Sequence, residues 1–180
     1  MSSLSITFFR SFFGVKILLT FLQFCSSGLS AQPLFKRLPD FPSFRLMSSD
    51  GTSFSSTDIL KKNKPSVVIY FSPTCHHCQT QTQDLTSNMK SFKEVQFLFV
   101  TAYPPADTNP FLNEYAIEKF SNIRFGYDSS FSMGSFYELK SLPGVFIYDK
   151  QGKLKNHFDT NVKPEKLYAA IFDPDPGLHP

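Results

Sequence analysis

The chain has 180 residues, of which 41% are hydrophobic and 18% charged, with a net charge of +3. This many hydrophobic residues are enough to form a buried core, which excludes a wholly disordered chain. The length is that of one domain. The small net charge gives no electrostatic reason to expect a nucleic-acid partner, and three cysteines are too few for a disulfide-dense scaffold.

The first 31 residues have the order of a secretory signal peptide. Arg10 and Lys16 precede an apolar run at 17–22, and small residues follow up to Ala31. We predict that residues 1–31 are removed and that 32–180 form the mature protein in the periplasm or cell envelope. An uncleaved membrane tether is the alternative, although the apolar run is short for crossing a bilayer.

Two apolar runs with a helical pattern between them organise the middle of the mature chain. The runs at 67–71 and 95–100 are rich in β-branched and aromatic residues, which indicates buried strands. Between them, Leu85, Met89 and Phe92 recur at helical spacing over 78–92. A strand, a helix and a strand in this order predict a βαβ unit whose two strands are parallel.

Shorter elements follow this unit. The sequence predicts a helix opening at Asn109 and Pro110, and a hairpin around a turn at 149–152. The other predicted elements are strands at 124–127, 145–148 and 154–158 and helices at 131–139 and 164–172. The prediction is an α/β fold with a mixed central sheet, helices on both faces, a core at about 40–172 and a frayed C-terminal tail.

The residues with the clearest chemistry are Cys75-His76-His77-Cys78, which come directly after the strand predicted at 67–71. Because Cys25 falls in the removed segment, Cys75 and Cys78 are the only pair left in the mature chain. A helix N-terminus stabilises a thiolate over a thiol, and the thiolate is the nucleophile of disulfide exchange. We expect Cys75 to be the exposed attacker and Cys78, one turn later, the shielded resolving thiol.

This motif, together with Ser141-Leu142-Pro143-Gly144 before the strand at 145–148, resembles the thioredoxin superfamily. The resemblance covers about 40–171 and is greatest to the exported TlpA/ResA-like thiol–disulfide oxidoreductases. It implies a cis bond between Leu142 and Pro143, with Pro143 facing Cys75. It also implies that the Leu142 backbone pairs with an extended client segment.

By the same resemblance, His77 tunes the redox potential, since an imidazole can stabilise the reduced thiolate. Thr74 and His76 flank the attacking cysteine, and we assign them with Leu142 to substrate binding. No cofactor beyond the redox-active Cys75–Cys78 pair is expected. The expected partners are client proteins with thiols or disulfides and a redox partner protein.

The sequence departs from the family pattern at three positions. Ile69 stands where thioredoxin has a buried Asp, Gln81 where ResA-like proteins have a Glu, and Thr74 where a Trp is usual. The usual proton acceptor for Cys78 is therefore missing. Asp84 is near in sequence but two turns along the helix, and we do not assign it that role.

Two other functions use the same residues. A copper- or zinc-binding module could use Cys75, His76, His77 and Cys78, although adjacent residues on a helix diverge too much to meet at one ion. A thiol peroxidase would share the fold. The peroxiredoxin pattern P-x-x-x-T-x-x-C is not met, since Val68 and Ser72 occupy its Pro and Thr positions.

Overall fold

The computed structural model describes residues 32–173 as one seven-stranded sheet with helices on both faces. The predicted signal peptide at 1–31 and the end of the tail at 174–180 lie outside the described residues. The strands are β1 Arg45–Met47, β2 Ser53–Ser55, β3 Ser66–Tyr70, β4 Gln96–Thr101, β5 Ile123–Tyr127, β6 Gly144–Tyr148 and β7 Leu154–Phe158. Their order across the sheet is β2-β1-β5-β4-β3-β6-β7.

The sheet is mixed, as predicted. β3, β4 and β5 are parallel neighbours, which confirms the βαβ unit. β6 runs antiparallel to β3, and β6 and β7 form the predicted hairpin. The register places Tyr70, the last residue of β3, opposite Gly144, the first residue of β6. The segment that follows β3 and the segment that precedes β6 therefore meet at the same end of the sheet, beyond the carboxyl end of β3.

Five α-helices accompany the strands in the described part of the chain. They are α1 Leu34–Arg37, α2 His76–Ser87, α3 Pro105–Glu114, α4 Ser132–Phe136 and α5 Pro164–Phe172. Three short 3-10 helices lie at Ser56–Ile59, Met89–Phe92 and Ile117–Lys119. No helix among residues 32–173 is long and apolar enough to cross a membrane.

The core has two halves, one on each face of the sheet. Because side chains alternate along a strand, Val67 and Ile69 of β3 join the first half and Val68 and Tyr70 join the second. The first half packs under α2, α3 and α5. The second packs under α1 and α4 and is rich in aromatic rings.

Several element boundaries differ from the sequence prediction. α3 begins at Pro105, which takes the first helical position, so that Pro110 lies inside the helix rather than at its start. The helix predicted at 78–92 is α2 followed by the 3-10 turn Met89–Phe92. α1 was not predicted; it is fixed by burial of Phe35 against the rings of Tyr137 and Phe146.

Candidate active site

The motif lies where β3 ends and α2 begins. The Phe71 side chain is buried and its N–H still donates to the Val100 carbonyl, so the chain turns only after this residue. The Cys75 N–H donates to the Ser72 carbonyl at 3.2 Å, which closes the turn. Cys75 is the N-cap of α2, and its carbonyl accepts the Gln79 N–H at 3.0 Å. Its sulfur therefore lies at the positive end of the helix dipole.

The two cysteines, both free thiols, have different surroundings. Cys75 is half-buried, whereas Cys78 has 0% exposure and belongs to the first half of the core. Burial, and secondarily the neighbouring Cys75 thiol, raise the pKa of Cys78 far above its usual range. Cys75 is thus the sulfur that a partner can reach, and Cys78 is held as a neutral thiol one turn behind it.

The opposite wall of the site is the segment before β6. The bond between Leu142 and Pro143 is cis, which confirms the sequence prediction. The Leu142 carbonyl accepts from the Cys75 thiol at 3.6 Å. Leu142 also packs against both halves of the core, so its backbone is anchored where the two faces of the sheet meet.

The other predicted site residues lie on the surface. Thr74, His76 and His77 are exposed, and the two imidazole centroids are 6.1 Å apart. The Thr74 hydroxyl lies 3.2 Å from that of Ser72. Within residues 32–173, no group of three or more His, Cys, Asp or Glu side chains is placed to hold a metal ion. The geometry therefore gives the metal-binding alternative no support.

A buried amide occupies the position of the missing carboxylate. Gln81 is 1% exposed, and its Oε1 accepts the Val162 N–H at 2.7 Å. Its Nε2 is buried without a hydrogen-bond partner among the described residues. Asp84 is instead held at the surface by Lys163, whose Nζ lies 3.1 Å from the carboxylate. Neither residue supplies a buried proton acceptor beside Cys78.

A polar cluster that the sequence did not predict lies behind the Leu142 wall. Asp128 is fully buried and accepts from the Tyr70 hydroxyl at 3.1 Å and from the Met133 N–H at 2.9 Å. The Ser132 and Gly134 N–H groups donate to the same carboxylate, which caps α4. Asp128 stands three residues before the N-cap residue Phe131, outside the position at which a capping side chain is normally recognised. Its bond to Tyr70, 58 residues away, leaves no local trace in the sequence.

Comparison with known proteins agrees with this architecture. The profile of the AhpC/TSA family matches residues 39–157. No curated protein matches the chain. Among solved structures, dsbF of MTB is 20% identical with a TM-score of 0.60, covering 71% of this chain and 91% of its own.

Two other structures are similar to the same extent. A secreted Mycobacterium tuberculosis disulfide oxidoreductase homologous to E. coli DsbE is 16% identical with a TM-score of 0.60, covering 75% of this chain and 96% of its own. Peroxidoxin BcpB from Mycobacterium tuberculosis is 14% identical with a TM-score of 0.61, covering 73% and 92%.

The mixed sheet, the Cys-x-x-Cys helix and the opposing cis-proline define a protein of the thioredoxin-like fold, as the sequence resemblance implied. Within that fold, this chain belongs to the AhpC/TSA family, whose profile spans most of the described residues.

Proposed function

We propose that this protein is an exported thiol–disulfide oxidoreductase that exchanges disulfides with protein thiols through Cys75 and Cys78. The observation that carries the proposal is the asymmetry of the pair. A half-buried sulfur at a helix N-terminus faces the Leu142 carbonyl, and a fully buried thiol follows one turn later. Only the first sulfur is available to a macromolecular partner.

The exchange proceeds in two balanced steps. In the direction that reduces a client, the Cys75 thiolate attacks one sulfur of the client disulfide, and the other client sulfur leaves as a thiolate and takes up a proton. Cys78 then loses its proton and attacks the Cys75 sulfur, which forms the Cys75–Cys78 disulfide and releases the second client thiol. Oxidation of a client dithiol runs through the same bonds in reverse.

The surroundings of the motif support this assignment. Leu142 presents its carbonyl next to the reacting sulfur, where an extended client backbone can pair with the segment before β6. His77 is exposed on the first turn of α2 and close enough in sequence to act on the thiolate. The signal-like segment at 1–31 and the similarity to a secreted disulfide oxidoreductase support export.

A glutathione redox titration of the purified protein, followed by mass after alkylation, tests the proposal. We expect a reversible two-electron transition between Cys75 and Cys78. A midpoint between about −120 and −200 mV would define an oxidant or isomerase, and one near about −270 mV a reductant. The proposal fails if the two thiols show no reversible transition.

A thiol peroxidase is the second candidate, because the chain belongs to the AhpC/TSA family and is similar in fold to peroxidoxin BcpB. The Cys75 thiolate would then attack the peroxide O–O bond to give a sulfenic acid and water, and Cys78 would condense with it to a disulfide and a second water. Peroxide consumption by the reduced protein, compared with Cys75→Ser, separates this activity from disulfide exchange.

A further inference from the structure

A shallow hollow of about 220 Å³ lies beside the Leu142 wall of the site. Most of its lining is apolar, and its rim includes Tyr103, Phe131, Leu139 and Leu142. Lys140 is the one charged residue among those that line it. The hollow is therefore lined mainly by apolar side chains, and Lys140 is its single cationic one.

Exposed aromatic rings concentrate at this hollow. Six large apolar side chains are strongly exposed among the residues that the structure describes, and two of them border it. Tyr103 is 41% exposed and Phe131 is 46% exposed. Apolar residues scattered singly on a surface need no explanation, but Tyr103 and Phe131 border the same apolar hollow next to Leu142.

Phe131 is held there at a conformational cost. Its backbone is left-handed, at φ 54° and ψ 23°, which is unfavourable for a bulky side chain. Asp128 fixes this turn, because its carbonyl accepts the Phe131 N–H and its carboxylate accepts the next N–H groups, including that of Ser132. Strain of this kind persists only where the surroundings enforce it.

Two further contacts fix the Phe131 ring. It meets the Tyr70 ring edge-to-face, with centroids 5.9 Å apart and an interplanar angle of 89°. It also covers Gly134 so closely that a Cβ on that residue would collide with it. The ring is therefore a positioned wall of the hollow although nearly half of it faces solvent.

The hollow and the surroundings of the reactive sulfur share one residue. Leu142 lines the hollow, and its carbonyl lies 3.6 Å from the Cys75 sulfur. An extended chain advances about 3.3 Å per residue, and we therefore expect a side chain one or two positions from a client cysteine bonded to Cys75 to reach the hollow.

We propose that Phe131, with Tyr103, Leu139 and Leu142, forms a subsite for a large apolar side chain of the client, within two residues of the client cysteine. The inference rests on the proposed disulfide exchange and names the client chemistry: an extended, cysteine-bearing segment with an apolar neighbour. Lys140 disfavours a client with basic residues at the same position.

The test isolates the first bond-forming step. The Cys78→Ser protein is reacted with single-cysteine peptides whose sulfur carries thionitrobenzoate as a mixed disulfide. The Cys75 thiolate attacks the peptide sulfur, a Cys75–peptide disulfide forms, and thionitrobenzoate leaves as a coloured thiolate. Two matched peptides carry Phe or Ser at the positions flanking the cysteine. We expect the Phe peptide to react about tenfold faster.

Substitutions then assign that preference to the hollow. Phe131→Ser in the Cys78→Ser background reduces the Phe-to-Ser rate ratio to about one, since the apolar wall is lost. Tyr103→Ser removes a different part of the wall, leaves the strained residue in place, and also lowers the ratio. Leu60→Ser, at an exposed apolar residue outside the hollow, keeps it.

Two results overturn the inference, and they differ from failure of the proposed function. Equal rates for the two peptides in the parent protein, or a ratio that survives both Phe131→Ser and Tyr103→Ser, exclude the subsite while leaving disulfide exchange in place. If neither peptide reacts faster with Cys75 than with glutathione at the same thiol concentration, the proposed oxidoreductase function is wrong, and the proposed subsite is then wrong as well.

Discussion

The two faces of the sheet contribute different kinds of residue to the site. The face under α2 supplies both cysteines, and their positions follow from a strand, a turn and a helix that are adjacent in sequence. The other face supplies Asp128 and Phe131 from one turn, and Tyr70 of β3 contacts both of them across the fold. The two thiols are thus placed by residues adjacent in sequence, whereas the hollow that we propose for the client depends on a contact between distant strands and loops.

Substitution of the two cysteines on the first face should have different effects on disulfide exchange. Cys75→Ser abolishes disulfide exchange, because the buried Cys78 cannot be reached by a client. Cys78→Ser keeps the first attack and accumulates the mixed disulfide, which non-reducing mass spectrometry detects. Substantial exchange by Cys75→Ser would show that the accessible sulfur has been misassigned.

On the opposite face, Asp128→Ala should reduce the free energy of unfolding by about 2–4 kcal/mol, since it removes the α4 cap and leaves the Tyr70 hydroxyl buried without a partner. Denaturant titration measures this loss. Asp149→Ala is the matched control, because Asp149 accepts two backbone N–H groups in an exposed turn and should cost about 1 kcal/mol. Equal losses of unfolding free energy in the two variants would show that the buried Asp128 stabilises the fold no more than the exposed Asp149.

The raised pKa of Cys78 predicts how the second step depends on pH. Cys78 must lose its proton before it attacks the Cys75 sulfur, so release of glutathione from a Cys75–glutathione disulfide should speed up about tenfold per pH unit from pH 6 to 8. Acid quenching and mass spectrometry measure the rate. A flat profile would mean that Cys78 is already a thiolate at neutral pH.

The Gln81→Glu variant tests whether the missing proton acceptor limits this second step. A carboxylate one turn after Cys78 can accept its proton, so release at pH 6 should become about tenfold faster or more. Gln81→Ala is the control, because it removes the same amide without supplying a base. If both variants behave alike, the absence of a carboxylate is not what limits resolution.

Substitution of the two exposed histidines should change only the redox potential, and by a modest amount. His77→Ser should lower the midpoint potential by about 30 mV, which corresponds to a tenfold change in the exchange constant, because the reduced thiolate loses a stabilising imidazole. His76→Ser, the adjacent control, should change it by less. A larger shift for His76→Ser would reassign the tuning role.

The parts predicted from sequence are those that neighbouring residues determine. The apolar runs gave β3 and β4 and their parallel pairing, and Leu142-Pro143 before a strand gave the cis bond through family resemblance. α1 was missed because four residues show no periodicity, and only the burial of Phe35 fixes them.

The aromatic wall was missed for a related physical reason. Asp128 holds the left-handed turn at Phe131 and Gly134 makes room for its ring, both from three residues away, whereas the ring also packs on Tyr70 of a distant strand, which no local pattern indicates. The start of α3 was misplaced because both Pro105 and Pro110 can occupy a first helical turn, and packing of the helix decides between them.

Complete burial of Cys78 also bears on how the protein tolerates chemical damage. An electrophile or oxidant in the surrounding medium can reach Cys75 but not the fully buried Cys78. Cys75 is therefore modified first, and Cys78 is protected from overoxidation to sulfinic or sulfonic acid. A sulfenic acid or glutathione adduct on Cys75 then lies one helical turn from an intact thiol that can displace it. That displacement releases water or glutathione and leaves the Cys75–Cys78 disulfide, which a reducing partner protein can return to two thiols.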